Sequence, residues 1–218
     1  MERRVTPERA IEIASSYPIP RVVENVALDQ SGDRVLATAL SSLVDDPRFD
    51  NSAMDGFAVR LEDITEGVTL SIVGESRAGG PEPPMVGPGE ACRIMTGARI
   101  PAGADSIVVV EDTNVSGSNV RINGKARPGF IRRRAENLSV GQEALPAGTL
   151  LGPAEIGLAA TMGHHQVAVV KKPRIAIVST GDELVAPGSE LSPSEIYESN
   201  SYALSSLVER MGCTPVRH

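Results

Sequence analysis

Residues 174–183 read RIAIVSTGDE, an apolar run that passes directly into a polar loop. An apolar run without polar alternation predicts a strand buried on both faces, as in a parallel sheet. Residues 201–211 then place apolar side chains at helical spacing, and residues 214–216 have the composition of a second strand. Strand, loop and helix in this order indicate the opening of a β-α-β unit.

This unit breaks off at His218, just as its second strand would begin, so the sequence looks cut. A lone strand and helix do not bury their own apolar faces. We therefore expect residues 173–218 to be poorly ordered, docked on the rest of the chain, or completed by another chain.

Residues 45–125 follow a different pattern, in which short β-branched runs alternate with turn residues. This spacing predicts a compact β-rich domain. The predicted strands are residues 57–59, 68–73, 91–95, 106–111 and 120–122.

Helices are predicted on both sides of the β-rich stretch. Thr6 is a candidate N-cap with Pro7 at the first helical position, and this helix ends by Tyr17-Pro18. Two further helices are predicted from apolar spacing at residues 33–43 and 154–162, the second ended by Gly163. Short strands are expected at residues 22–28 and 167–170.

The composition excludes several classes of protein. The 218 residues include 21 Lys plus Arg against 28 Asp plus Glu, so the net charge of −7 argues against a general nucleic-acid binder. Cys92 and Cys213 form no ligand-spaced cluster, which argues against a disulfide framework or a zinc site. The N-terminus lacks an apolar h-region and the apolar stretches are too short to span a bilayer, so we expect a cytoplasmic protein without a membrane anchor.

The densest polar cluster is FDNSAMDGF at residues 49–57. Such side chains often satisfy only the backbone of a turn. Alternatively, Asp55 holds a metal ion or a polar ligand, and Gly56 allows a close backbone approach. Both interpretations fit the composition.

Two further segments have the same ambiguity. Residues 93–105 combine a hydroxyl, glycine turns and flanking arginines, which fit either a phosphate site or hairpin geometry. The run from Arg132 to Arg134 is either a solvated face or an oxyanion contact. His164 and His165 are adjacent, so on a strand they would point to opposite faces, which argues against a metal site.

The loop STGDE at residues 179–183 follows a predicted parallel strand, where α/β proteins usually bind ligands. Gly181 lets a backbone approach a ligand closely, while Asp182 and Glu183 suit a cation or a polar heterocycle. The helix after Ser199-Asn200 would present unpaired N–H groups nearby.

Together these segments resemble the MoeA family, the molybdopterin molybdenumtransferases, which include the enzymatic part of gephyrin. Residues 47–59 are similar to its PxFDNSAMDGYAV segment, with Phe57 in place of Tyr. Residues 95–111 are similar to its MTGAxxPxGADxVVxxE segment. The Arg-rich run, residues 141–148 with 153–163, and residues 174–200 with STGDEL and IYxSN also agree.

The resemblance implies a multidomain protein of α+β and α/β class. A discontinuous helical and β linker domain would comprise residues 1–26 and 138–172. A β-rich domain would be inserted at residues 27–137, and residues 173–218 would be the truncated start of an α/β, molybdopterin-binding-like domain.

The resemblance also implies an activity. Such enzymes insert molybdate into adenylated molybdopterin and release AMP, using a divalent cation such as Mg²⁺. A homodimer with active sites between subunits is implied, with molybdopterin adenylyltransferase as a pathway partner and without nucleic acid or membrane. Because the family continues beyond this chain, we expect the chain alone to be inactive; the alternative is a short non-catalytic homologue that acts as a pterin-binding or dimerisation module.

Residue roles follow from the same motifs. Asp55 would position the metal or substrate, Thr96 would supply a hydroxyl contact, and Glu183 would be a carboxylate near the pterin. The implied substrate-binding residues are Ser52, Gly97, Asn137, Thr180, Gly181, Asp182 and Asn200. Asn137 stands where the family usually has Asp, Ala135 where it has Gly, and Glu198 where it has Asp; an amide neither acts as a base nor gives a metal a negative charge.

Overall fold

The computed structural model describes residues 5–18 and 20–218, which form two compact units. Unit 1 comprises the described residues up to Leu40 together with Leu145–Ala160 and His164–His218, and unit 2 comprises Ser41–Ala144 and Thr161–Gly163. The division into four segments with boundaries after residues 26, 137 and 172 stays a prediction. No helix of the described residues is long and apolar enough to cross a membrane.

Short strands make up most of the regular structure. The helices are α1 (Pro7–Ser16), α2 (Pro153–Thr161) and α3 (Asn200–Arg210). The strands are β1 (Val23–Ala27), β2 (Leu40–Ser41), β3 (Asn51–Ser52), β4 (Gly56–Val59), β5 (Thr69–Ser76), β6 (Glu90–Ile94), β7 (Ser106–Val109), β8 (Thr113–Ser116), β9 (Asn119–Ile122), β10 (Ile131–Arg132), β11 (Glu143–Leu145), β12 (Gln166–Val170), β13 (Arg174–Ile177), β14 (Leu184–Val185), β15 (Ile196–Tyr197) and β16 (Thr214–Arg217).

A six-stranded sheet forms the centre of unit 2, with strand order β7-β4-β6-β5-β9-β8. All neighbours are antiparallel except β5 and β6, which are parallel. The five strands predicted from the sequence are confirmed. The sixth strand, β8, was not predicted because it has one large apolar residue, Val115, which remains exposed.

Strand β4 of this sheet is buried on both faces, since successive side chains of a strand point to opposite sides. Phe57 and Val59 lie in one apolar cluster and Ala58 in another. The first cluster also contains Leu70, Ala91, Val108, Val120 and Ile122, and the second contains Ile94, Ala98, Ile107 and Ile131. Each large apolar side chain buried in this way contributes about 1.5–3 kcal/mol. The loops that carry the polar motifs therefore start and end at strands whose positions are fixed by core packing.

Gly56 permits the close packing of β4 on β7. A Cβ atom at this position would overlap the backbone carbonyl oxygen of Val108. The sequence hypothesis assigned the close approach at Gly56 to a ligand. In the structure the neighbour is instead the backbone of the adjacent strand, so this glycine is a requirement of the fold.

Two of the helices predicted outside the sheet are confirmed: α1 lies in unit 1, and so does α2 except for its last residue. Helix α1 begins after Thr6, whose Oγ1 accepts a hydrogen bond from the Arg9 N–H at 3.3 Å. No side chain of α1 is buried, and Ile11 is 67% exposed. Helix α2 ends before Gly163, which has a φ of +92° and thus the backbone conformation expected of a helix stop. Strands β1 and β12 pair antiparallel.

The predicted helix at residues 33–43 is wrong. The segment instead runs through a turn at Asp33, where φ is +58°, and then forms β-bridges from Val35 to Leu150 and from Leu36 to Val169. Its backbone also bonds to Thr149 and Ala168. The helical spacing of its apolar residues was overridden by backbone pairing with segments more than 100 residues away, which a local pattern does not encode.

Residues 174–217 form the expected β-α-β unit. Strands β13 and β16 pair parallel and are joined through α3, and β14 and β15 form a second parallel pair. The expectation that the first strand is buried on both faces is wrong for this chain. Ile177 is buried, but Ile175 is 38% exposed and Val178 is 66% exposed, because the described chain covers only part of this sheet's surface.

We predict that Gly56→Ala destabilises unit 2 by about 3 kcal/mol, because the added methyl group displaces the β7 backbone. Urea unfolding followed by far-ultraviolet circular dichroism measures this change. Gly129→Ala is the matched control: it adds the same group where no heavy atom lies within 4 Å, and it should change the unfolding free energy by less than about 0.5 kcal/mol. Equal stabilities of the two variants would contradict the proposed close-packing requirement.

Candidate functional site

Asp55 and Thr96 are brought together by the pairing of β4 with β6. Asp55 immediately precedes β4 and Thr96 follows β6, and the antiparallel register sets Gly56 opposite Ile94. The Thr96 N–H and Oγ1 both donate to Asp55 Oδ1, at 2.6 and 2.7 Å. The first two predicted catalytic residues are therefore neighbours, although 41 positions separate them.

The electrostatics of this pair keep Asp55 ionised. The side-chain hydrogen bond from Thr96, followed by the backbone hydrogen bond from the same residue, lowers the pKa of Asp55 below its ordinary value of 3.8. Both donors bind Oδ1. No partner for Oδ2 exists among residues 5–18 and 20–218, and Asp55 is exposed. One carboxylate oxygen is thus fixed by the protein, while the other remains available to a cation or a hydrogen-bond donor.

Ser52 and Gly97 shape the same loops. The Ser52 hydroxyl is buried, donates to the Met54 carbonyl at 2.6 Å and accepts from the Met54 N–H at 3.2 Å. The Gly97 N–H donates to the Ser52 carbonyl at 2.8 Å. The Ser52 hydroxyl therefore forms hydrogen bonds within a turn, to the backbone of Met54. Asp55 in the same motif differs, because its Oδ2 is available to bind a ligand. Substrate contact by Ser52 and Gly97 stays a prediction.

Two arginines of the basic run are engaged in ion pairs. Arg133 Nη1 lies 2.7 Å from Asp50 Oδ2, and Arg134 Nε lies 2.5 Å from Asp45 Oδ2. The Arg134 N–H also donates to Asp50 Oδ1 at 2.8 Å. These pairs tie the run to the segment that carries the FDNSAMDG motif. Arg132 forms no ion pair with any residue that the structure describes.

Arg132 lines a hollow of about 430 Å³ on unit 2. Asn137 also lines it, and its Nδ2 donates to Asp46 Oδ2 at 3.1 Å. Asn51 is 8% exposed, and its Oδ1 is buried without a partner in the described part of the chain. The other lining residues are Asp46, Pro47, Gly97 and Glu136. Asn51 was not predicted as an individual site residue, although it lies inside the FDNSAMDGF segment, and Arg132 was named only as part of the basic run.

Ala135 has an unusual backbone conformation. Its φ is +60°, a region that favours glycine, and its N–H donates to the Pro47 carbonyl at 2.9 Å. It is the position where the family motif usually has Gly. The tight turn that precedes Asn137 therefore keeps its geometry at a cost in strain of about 1–2 kcal/mol.

The second group of predicted residues lies on unit 1, in and near the loop at residues 179–183. Four side chains are exposed and form no hydrogen bond within the described ranges: Thr180, Asp182, Glu183 and Asn200. A Cβ atom at Gly181 would lie 2.7 Å from Glu183 Oε2, so the carboxylate folds over the glycine backbone. The loop thus presents unsatisfied polar groups at the end of β13, as expected.

Glu198 was not predicted as a site residue, yet its carboxylate accepts three hydrogen bonds. Its Oε1 accepts from the Ser201 N–H at 2.7 Å and from Ser179 Oγ at 3.1 Å, and its Oε2 accepts from Ser201 Oγ. The first of these bonds uses an N–H group at the start of α3 that we had expected to face a ligand. The available signal was that Glu198 stands where the family motif usually has Asp.

The predicted residues therefore fall into two groups, one on each unit. Asp55, Thr96, Ser52, Gly97 and Asn137 belong to unit 2. Thr180, Gly181, Asp182, Glu183 and Asn200 belong to unit 1. Throughout the described residues no group of three His, Cys, Asp or Glu side chains is arranged to hold a metal ion. A cation at Asp55 would need ligands from its substrate, and Mg²⁺ commonly binds through one or two carboxylates plus phosphate oxygens.

Comparison with known proteins gives a consistent result. Residues 5–163 match the model of a family described as the MoeA N-terminal region, domains I and II. The chain is 43% identical over 199 residues to a molybdopterin molybdenumtransferase of Nostoc sp. and 35% identical over 204 residues to one of Haemophilus influenzae. These matches cover 88% and 93% of this chain, but 46% and 50% of the relatives.

A solved structure agrees with these matches. A molybdopterin biosynthesis MoeA protein from Pyrococcus horikoshii superposes with a TM-score of 0.85 at 33% identity, over 98% of this chain and 56% of that protein. The fold is thus a mixed α/β fold similar to that structure. The chain spans about half the length of the relatives it matches.

Thr96→Val should raise the pKa of Asp55 toward its ordinary value of 3.8, because the variant keeps the backbone donor but loses the hydroxyl donor. Carboxyl NMR titration measures the change. Since the pKa of Asp55 is lowered in the folded state, the stabilising effect of this bond is present above the ordinary pKa and is lost as the pH falls through the lowered one. Thr69→Val, on an exposed strand position, should leave the pKa of Asp55 unchanged; the same shift in both variants would contradict the assignment.

Ala135→Gly should stabilise the chain by about 0.5–1 kcal/mol. Glycine adopts a φ of +60° without strain, and this gain exceeds the larger conformational entropy that glycine loses on folding. Urea unfolding gives the value. Ala102→Gly is the opposite control: Ala102 is exposed and has no positive φ, so glycine there should destabilise the chain. A loss of stability in both variants would show that Ala135 is not strained.

Proposed function

Because the chain belongs to the MoeA family, we propose that it serves molybdenum cofactor biosynthesis as a molybdopterin molybdenumtransferase polypeptide. The proposed reaction inserts molybdate into adenylated molybdopterin and releases AMP. The observation that carries this proposal is the Asp55–Thr96 pair, in which two family segments meet and leave one ionised carboxylate oxygen exposed.

We propose a distinct task for each of these groups, and the geometry supports the division. Thr96 holds Asp55 Oδ1 through two hydrogen bonds, so Oδ2 keeps a fixed direction. A carboxylate repels the phosphates of an adenylated substrate, and a divalent cation held at Asp55 would offset this repulsion. We therefore propose that Asp55 contributes one ligand to Mg²⁺, which neutralises phosphate charge when bound. Asp55 and Thr96 are proposed as catalytic residues on unit 2.

The loop at residues 179–183 is proposed to contact the pterin part of the substrate. Its exposed polar side chains supply acceptors and a hydroxyl, which suit the N–H groups of a polar heterocycle. Glu183 is the proposed catalytic carboxylate here, because it folds over Gly181 and projects from the strand end. The proposal has Thr180, Asp182 and Asn200 as substrate contacts.

We further propose that the protein acts as a cytoplasmic homodimer. We also propose that the 218-residue chain alone catalyses little or no turnover. The chain spans about half of each molybdenumtransferase it matches, so about half of the relatives' residues have no counterpart in it. The exposed apolar residues of α1, Ile11 among them, are consistent with a covered surface in the dimer.

The test combines binding with turnover. We expect the purified chain to bind adenylated molybdopterin in the presence of Mg²⁺ by calorimetry and to release no AMP when molybdate is added, while the Nostoc relative releases AMP under the same conditions. Asp55→Asn should weaken the Mg²⁺-dependent binding at least about tenfold, because the neutral amide is a poor magnesium ligand. Asp29→Asn is the control, since Asp29 is an exposed carboxylate of unit 1.

Each outcome has one meaning. Binding without turnover supports the proposal, and AMP release by the chain would refute the proposed inactivity. Absence of binding would refute the proposed substrate. Equal losses in both Asp variants would show that the effect is general electrostatics and not a metal ligand.

A further inference from the structure

We propose that Glu198 is a positioning residue that holds the loop at residues 179–183 against the first turn of α3. The proposal deepens the proposed function, since it concerns the loop assigned to the pterin, but its test requires no substrate. Glu198 lies between β15 and α3 and lines a hollow of about 320 Å³ together with Ser179 and Gly181.

One carboxylate joins two segments of the chain. Ser179 is the first residue of the loop, and its Oγ donates to Glu198 Oε1 at 3.1 Å. The same Oε1 atom accepts a hydrogen bond from the Ser201 N–H at 2.7 Å. Glu198 Oε2 accepts from Ser201 Oγ. Ser201 is 5% exposed and therefore is a fixed point in the unit. The loop is tied to this fixed point through Glu198.

The other end of the loop is held by the backbone. The Ile196 N–H donates to the Glu183 carbonyl at 2.8 Å, and the Glu198 N–H donates to the Val185 carbonyl at 2.8 Å. At the first end, no backbone hydrogen bond of Ser179 or Thr180 is present in the portion of the chain that the structure describes. The side-chain bond to Glu198 therefore replaces the missing backbone support.

The negative charge of Glu198 strengthens the hydrogen bonds that it accepts from Ser179 and Ser201. The side-chain and backbone hydrogen bonds from Ser201 lower the pKa of Glu198 below its ordinary value of 4.5, so the carboxylate is ionised at neutral pH. An anion at the start of a helix is favourable, because the N–H groups there carry partial positive charge. The same contact occupies the Ser201 N–H, so an anionic substrate group at the start of α3 would compete with Glu198 for this donor.

The test measures the mobility of the loop in the free 218-residue chain. Ser179→Ala removes the tie to the loop but leaves both bonds between Glu198 and Ser201. We expect the ¹⁵N order parameters of Thr180, Gly181 and Asp182 to fall from about 0.85 to below about 0.6, while α3 stays unchanged. Ser179→Thr keeps the hydroxyl and should restore the wild-type values.

Glu198→Ala should free the loop and also loosen the first turn of α3. Glu195→Ala is the matched control, because the Glu195 carboxylate accepts the Ser192 N–H at 2.8 Å and, within the described residues, forms no hydrogen bond to residues 179–183. Unchanged order parameters of the loop in Ser179→Ala would overturn the proposal. A decrease in the order parameters of α3 as large as that of the loop, in the same Ser179→Ala variant, would also overturn it. None of these readouts uses a pterin, so failure here leaves the proposed function standing, and failure of substrate binding leaves this result standing.

Discussion

The register between β4 and β6 is the constraint on which unit 2 depends. Gly56 lies opposite Ile94 and packs its bare Cα against the backbone of β7, so β4 fits between two strands that a larger residue would push apart. This fit also sets the position of Asp55, one residue before the strand. Because Thr96 follows the neighbouring strand, the same register that closes the core brings hydroxyl and carboxylate into contact. Core packing and site geometry therefore have one origin.

The basic run adds a second, electrostatic level of support. Arg133 and Arg134 are largely exposed to solvent, as the solvated-face interpretation expects, but each also forms an ion pair. They pair with Asp50 and Asp45 and so attach the turn at Ala135 to the start of the FDNSAMDG motif. Exposed pairs of this kind contribute little stability singly, but here they fix the relation of two segments that border one hollow.

Sequence patterns predicted the elements that depend on local information. The cap at Thr6, the stop at Gly163 and the alternating strands of unit 2 follow from neighbouring residues and were confirmed. Residues 33–43 failed because their partners lie far along the chain. At the site, the motif predicted Asp55 and Thr96, whereas Glu198 was missed because its importance depends on the distance to Ser179, which no spacing rule gives.

The pairing of β1 with β12 has a consequence for synthesis of the chain. Ala27 pairs with Gln166, so about 140 residues separate the two strands, and unit 2 is encoded between them. At 5–20 residues per second a ribosome needs roughly 7–28 s to make that stretch. Residues 41–144 make up most of unit 2 and are synthesised before β12. Small domains fold in microseconds to seconds, so this part of unit 2 has time to fold while β1 still lacks its partner. During that interval β1 presents an unpaired strand edge, which is the kind of surface that favours pairing with other chains.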